Sequence, residues 1–164
     1  MKNFAKLCSS AALLAFAGIS SNASAIGLEG TAYVLNGDDN NHRVVVYGRF
    51  ANGALRNFGS VATGGIGAGS NADFDPTGGQ DSLVISDDER FLYATVPGSG
   101  EIAVYFLTSF GRPVLIQRVS TEGTFPTSIA IDDGVLYAIN GGDDGSLVAF
   151  DRNIDTGTLS DTPV

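Results

Sequence analysis

Apolar residues fall in short runs of four or five, bounded by Gly, Asp and Asn. That rhythm predicts many short strands with tight turns, not helices. The runs recur in a fixed order. Tyr33-Val34-Leu35-Asn36, Tyr93-Ala94-Thr95-Val96 and Tyr137-Ala138-Ile139-Asn140 are versions of one strand. Each is followed 12 to 14 residues later by a strand ending in an aromatic: Val44–Tyr47, Ile102–Tyr105 and Leu147–Phe150. A glycine then opens the next turn, at Gly53, Gly111 and Gly157. Strand-built repeats of roughly 40–50 residues read as propeller blades.

Strand by strand, the first blade is expected at Thr31–Leu35, Arg43–Phe50 and Leu55–Ala62, with Asn52-Gly53 as a hairpin signal. Only the N-terminal segment could add a fourth strand to it. A Gly-rich connection, Thr63 to Asp81, leads to a complete second blade: Ser82–Ser86, Phe91–Thr95, Glu101–Leu107 and Pro113–Val119. The third restarts at Ser128–Ile131 and continues through Val135–Ile139 and Ser146–Asp151, with Leu159–Val164 within or just short of a last strand. The fold class is therefore all-β: a β-propeller with about three four-stranded blades, open or truncated, since a closed ring takes about 4 to 8 blades. No helix and no domain linker are expected after residue 25.

The first 25 residues have the form of a signal peptide: Lys2 and Lys6, an apolar run from Ala11 to Ile19, and the cleavage pattern Ala23-Ser24-Ala25. The run is shorter than the roughly 20 residues of a spanning helix. Residues 1–25 are thus expected to be removed, residues 26–164 to form the domain, and the product to be exported, periplasmic or extracellular. Cleavage takes away Cys8, the only cysteine, and both lysines. What is left carries seven arginines against 18 acidic residues, a net charge of −11. That charge argues against nucleic acid and anionic membrane as partners, and no membrane span is expected after cleavage.

Ser82-Leu83-Val84-Ile85-Ser86-Asp87-Asp88-Glu89-Arg90-Phe91-Leu92-Tyr93 and Gly100-Glu101-Ile102-Ala103-Val104-Tyr105 resemble strand–turn–strand and strand motifs of the seven-bladed propeller lactonase family. That family includes proteins similar to 6-phosphogluconolactonase and to carboxymuconate cyclases. Thr63-Gly64-Gly65 and Asp75-Pro76-Thr77-Gly78-Gly79-Gln80 are similar to two more of its stretches. Val96 stands where the family has asparagine, and Asp81 where it more often has glycine. The resemblance covers roughly residues 30 to 160 and corresponds to the N-terminal part of such a propeller. It implies hydrolysis or formation of a lactone on an anionic sugar or muconate-type acid. With about half a ring, an inactive chain is expected. A non-enzymatic binding or scaffold module is the alternative.

In a propeller, the loops entering each blade and those joining its second and third strands build the channel end. Here they are 36–43, 63–81, 96–100, 121–127 and 140–145. His42 and Arg43 are the candidate catalytic pair, a general base beside a carboxylate anchor; a solvated loop histidine is the plainer alternative. No cofactor and no metal are expected. Asp73, Asp75 and Asp81 form a loose acidic loop, but Val84 stands where an EF-hand places its glutamate. Gly64–Gly69 matches no phosphate-binding pattern and reads as a close backbone crossing. Tyr33, Tyr93 and Tyr137 are expected to pack in the core or between blades. The small-molecule substrate is expected to be anionic. Self-association is expected through open blade edges.

Overall fold

The computed structural model of the protein describes residues 14–18, 27–69 and 80–164, the first of these segments as backbone. It contains three antiparallel sheets, ordered β1-β2-β3-β4, β5-β6-β7-β8 and β11-β10-β9. The first blade comprises β1 (Leu14–Gly18), β2 (Leu28–Leu35), β3 (Arg43–Phe50) and β4 (Leu55–Ala62). The second comprises β5 (Leu83–Ile85), β6 (Phe91–Val96), β7 (Glu101–Leu107) and β8 (Pro113–Ser120). The third comprises β9 (Pro126–Asp132), β10 (Val135–Asn140) and β11 (Ser146–Asp151). This is the partial β-propeller that the alternation predicts, and its sheets do not close into a ring.

Two blades differ in strand count from the expectation. The first gains a fourth strand, because Leu14–Gly18 pairs antiparallel with β2, Leu14 opposite Val34 and Gly18 opposite Gly30. The segment read as a leader thus lies on the inner edge of that blade. The third has three strands. Leu159–Val164 forms no strand and instead follows β11 through single contacts: an Arg152–Leu159 bridge, Ser160 N to the Asp151 carbonyl (2.8 Å) and Val164 N to the Ala149 carbonyl (2.9 Å). A helix-free chain was also the expectation, and one short 3₁₀ turn departs from it, at Pro97–Ser99. Proline opens that turn, and Gly100, at φ 65°, closes it in the left-handed conformation.

The blades stack face to face because each strand alternates its side chains between two faces. One cluster joins the first two blades: Tyr33, Leu35, Val44 and Val46 meet Leu92, Ala94, Ala103 and Tyr105. A second joins the next two: Phe91, Tyr93, Ile102 and Val104 meet Ile129, Leu136, Ala138 and Phe150. β6 serves both, which is why all six of its residues are buried. Two tyrosine hydroxyls cross these interfaces. Tyr33 donates to the Gly111 carbonyl (2.5 Å) and Tyr93 to the Gly157 carbonyl (2.8 Å), each in the outer turn of the following blade. Burial pushes both phenols above the ordinary tyrosine range.

Candidate functional site

The loops expected at the channel end do gather at one end of the molecule, and main-chain hydrogen bonds lace them together. Gly69 N donates to the Gly37 carbonyl, Gly98 N to Ile66, Thr121 N to Gly100, Gly141 N to Phe125 and Gly142 N to Thr124, all at 2.8–3.0 Å. Two side chains add to the lacing: Ser99 Oγ accepts from Ile66 N (2.7 Å), and Thr124 Oγ1 donates to Asp143 Oδ2 (2.6 Å). The Gly-rich connection is the close crossing its composition suggests. A Cβ on Gly67 would lie 2.2 Å from the Asp38 carbonyl oxygen, and one on Gly65 2.6 Å from Val96 Cγ1. Asp81, where the family favours glycine, sits at φ 61°, a conformation that glycine adopts without strain.

His42 and Arg43 do not converge. They are neighbours at the start of a strand, so their side chains leave on opposite faces. His42 shares the face of Val44 and Val46 and is only 3% exposed, not the solvated loop residue of the plainer reading. The Thr63 hydroxyl donates to the His42 carbonyl (3.2 Å) and lies 3.1 Å from Nδ1, so the ring proton belongs on Nδ1. Burial, against a smaller opposing effect of Asp38, pulls the imidazole pKa down to about 4. The ring is therefore neutral at pH 7 and spent on its own loop. Arg43 is held within its blade, its Nε on Ser60 Oγ (2.7 Å) and its Nη1 on Asn41 Oδ1 (3.1 Å).

A second charged pair sits at this end, and neither of its residues belongs to a recognisable motif. Arg118 grips Glu101 with Nη2 at 2.5 Å and Nε at 3.1 Å. The pair lies in the crevice between the first two blades, under Thr63-Gly64-Gly65: a Cβ on Gly64 would be 3.1 Å from Arg118 Cδ, and one on Gly65 3.2 Å from Glu101 Oε2. The Glu101 side chain is 20% exposed and the Arg118 side chain 37%. The hairpin register carried the signal, since Ala103 pairs with Arg118 and Glu101 lies diagonally adjacent. A cleft of about 370 Å3 at this end is lined by Pro97, Gly98, Ser99, Gly123, Thr124 and Phe125.

The opposite end is a framework. A cleft of about 400 Å3 there is bordered by Asp87, Asp88, Asp133 and Arg152, of which Asp88 and Arg152 are engaged within the framework. Arg152 donates to the Tyr93 hydroxyl (2.8 Å) and to the Asp133 carbonyl (2.9 Å). Arg90 binds Asp88 and the carbonyls of Ile154 and Asp155. Burial pushes the Asp88 carboxyl up, but hydrogen bonds from Ser86 and Arg90 outweigh it and hold the group below the usual range. Of the loose acidic loop, Asp73 and Asp75 lie outside the described residues. Among the described residues, no three His, Cys, Asp or Glu side chains are placed to hold a metal ion, and no helix is long and apolar enough to cross a membrane.

Comparison with known proteins places this geometry. The family model for the seven-bladed β-propeller lactonases matches residues 24–163. The chain belongs to that family. It is 34% identical over 94 residues to the 6-phosphogluconolactonase of Bacillus subtilis (strain 168), a match covering 56% of this chain and 27% of that protein. Among solved structures it resembles a Lactobacillus plantarum protein (TM-score 0.64, 25% identity, 82% of this chain and 39% of that one). It also resembles the periplasmic gluconolactonase of Pseudomonas aeruginosa (TM-score 0.62, 21% identity, 92% and 38%). The chain thus spans well under half the length of each of these relatives.

Proposed function

We propose that the laced loop end is the lactone-facing surface of this propeller, directed at a sugar-acid or muconate-type lactone, and that the 164-residue chain alone does not turn such a substrate over. The family match over residues 24–163 carries the first half. The second half rests on the site: His42 and Arg43 are committed to internal partners, and the Glu101–Arg118 pair is closed on itself. An anion could compete for the Arg118 guanidinium, since Arg recognises carboxylate through paired N–H donors. His42, the candidate base, is only 3% exposed, so its ring is closed off from a substrate. The test is a panel of aldono- and muconolactones incubated with the purified chain. Rates equal to buffer are expected. Turnover that is abolished by His42→Ala would overturn the inactivity and restore the histidine as a base.

Binding without turnover is the second reading, favoured by the part-exposed Arg118 side chain, whose donors suit a carboxylate. Calorimetry with gluconate separates the two readings, because binding lost in Arg118→Ala supports the module and its absence does not.

Export belongs to the same proposal, resting on Lys2, Lys6, the apolar run and Ala23-Ser24-Ala25. Cleavage before Ile26 would strip β1 from the first blade and free the inner edge of β2. N-terminal sequencing of protein recovered outside the cytoplasm should begin at Ile26; a start at Met1 would reject it.

A further inference from the structure

The outermost strand of the first blade, β4, carries a bulge. Its pairing with β3 slips between Val45–Ser60 and Tyr47–Asn57, so Phe58 and Gly59 both stand opposite Val46. Gly59 takes φ 101°, which glycine allows, and its N–H donates to Asn57 Oδ1 (2.6 Å). Strict alternation would point Phe58 away from the second blade. A bulge re-aims the side chain beside it, and here it turns the Phe58 ring onto the face of Val44, Val46 and Gly48, which looks at the second blade. A Cβ on Gly48 would lie 2.4 Å from that ring, and the Phe50 ring meets it edge-on at 6.3 Å between centroids. Phe58 is thus fixed against its own blade and still 51% exposed.

Across the crevice stands the β7–β8 turn of the second blade. Gly111 N donates to the Thr108 carbonyl (2.8 Å), Thr108 N to the Arg112 carbonyl (3.0 Å) and Arg112 N to Thr108 Oγ1 (3.0 Å). The Tyr33 hydroxyl pins the same turn through the Gly111 carbonyl. The turn presents Phe110, 77% exposed, and the exposed Arg112. With Val46, Phe58 and Val61 they line a cleft of about 310 Å3 on the flank between the two blades. The other arginines from Arg43 to Arg152 each rest on a hydroxyl, a carboxylate or an aromatic ring. The Arg112 guanidinium has no such partner among the described residues, in a chain of net charge −9.

We propose that this flank cleft binds a small aromatic carboxylate, its ring against Phe58 and Phe110 and its carboxylate on Arg112. Aromatic rings pack on one another edge-to-face or offset, and a guanidinium pairs with carboxylate through two parallel N–H donors. The volume stands at the low end of ligand pockets, roughly 300–1,000 Å3, and suits one ring with a short acid chain. Side chains of Val46, Phe58, Val61 and Phe110 offer no partner to the hydroxyls of a sugar acid, so the cleft has a different ligand from the loop end. Both walls are held in place before a ligand arrives, which keeps the ordering cost of binding low.

Amide NMR of the full chain, titrated with phenylacetate, tests this. Saturable shifts at Gly59, Phe110, Gly111 and Arg112 are expected, with a Kd of about 1 mM or below. Arg112→Gln should weaken binding about ten-fold, and Phe110→Ala several-fold. Both side chains are exposed, so the free variants should keep the wild-type spectrum away from the turn. Benzyl alcohol, which keeps the ring and loses the charge, should bind about ten-fold more weakly than phenylacetate. Gluconate should leave the four amides unmoved. Absence of saturable shifts at about ten times the expected Kd would overturn the proposal. So would equal affinity for benzyl alcohol or in Arg112→Gln, which would reduce the site to an apolar crevice. Shifts centred on the loop-end amides would also overturn it, by placing phenylacetate at the lactone-facing surface instead.

Discussion

The two interfaces between blades use the same device and reinforce it differently. Between the second and third blades, the Tyr93 hydroxyl both donates to Gly157 and accepts from Arg152 Nε, and the Arg152 guanidinium lies 5.8 Å from the ring centroid. Between the first and second, Tyr33 has its acceptor, but Thr31 Oγ1 beside it is buried without a hydrogen bond. That interface also encloses His42, a titratable group held neutral. One interface is thus braced by a cation and the other encloses a titratable imidazole, while each flanking blade holds one buried oxygen without a hydrogen bond, Thr31 Oγ1 in the first and Asn140 Oδ1 in the third. An unsatisfied buried hydroxyl costs about 1–3 kcal/mol. The blade 1–2 junction should be the one that opens first in acid, where His42 takes up a proton.

Glycine substitution is the strongest way to break the comparison. Gly157→Ala drives a Cβ into the Phe91 ring at φ 73° and should cost about 3 kcal/mol or more through overlap and backbone strain. Gly53→Ala, at φ 79° but in open space, should cost only about 1 kcal/mol. Urea denaturation of the two variants measures the gap, and equal costs would refute the packing account.

Acid should act on the blade 1–2 junction selectively. His42 titrates near its ordinary 6.5 when unfolded and at about 4 when folded, so between those values the unfolded chain binds more protons. Stability is then unaffected by His42 above pH 6.5 and falls as pH drops toward 4, by up to about 3 kcal/mol. His42→Gln should flatten that slope in a series of melts from pH 7 to pH 4. An unchanged slope would place the ring in solvent.

Removing the tyrosine hydroxyls sharpens the contrast at smaller scale. Tyr93→Phe leaves Gly157 and Arg152 short of a partner and should cost about 2 kcal/mol, against about 1 kcal/mol for Tyr33→Phe. The reverse order would mean that Arg152 contributes nothing. Smallest of all, Arg49→Ala breaks an exposed pair with Glu29 and should change monomer stability by less than about 1 kcal/mol.

Much of this architecture was legible in the alternation of residues. β3, β4, β7 and β11 begin and end where the apolar runs do. Local pattern missed what long-range contact decides. β2 starts at Leu28 because that residue pairs with Phe50 across an irregularity between Leu28 and Gly30, which no alternation displays. Leu159–Val164, expected within or just short of a last strand, falls short of one and makes only single contacts along β11. His42 sits in a polar stretch, and its buried ring finds its partner in Thr63, 21 residues away. Glu101 and Arg118 were readable only through hairpin register, because neither belongs to a motif.

The lacing of the loop end separates shape from chemistry. Its bonds run mainly between main-chain groups, and its tight spots fall at Gly65, Gly67, Gly98 and Gly142. Those four positions are therefore the ones that resist change. Exposed side chains such as Asp39 and Asp144 can be exchanged over generations while the surface beneath them keeps its form. Ligand preference in such a lineage can drift without a renegotiation of folding, and a mutational scan of these loops should tolerate new side chains at the aspartates and reject them at the glycines.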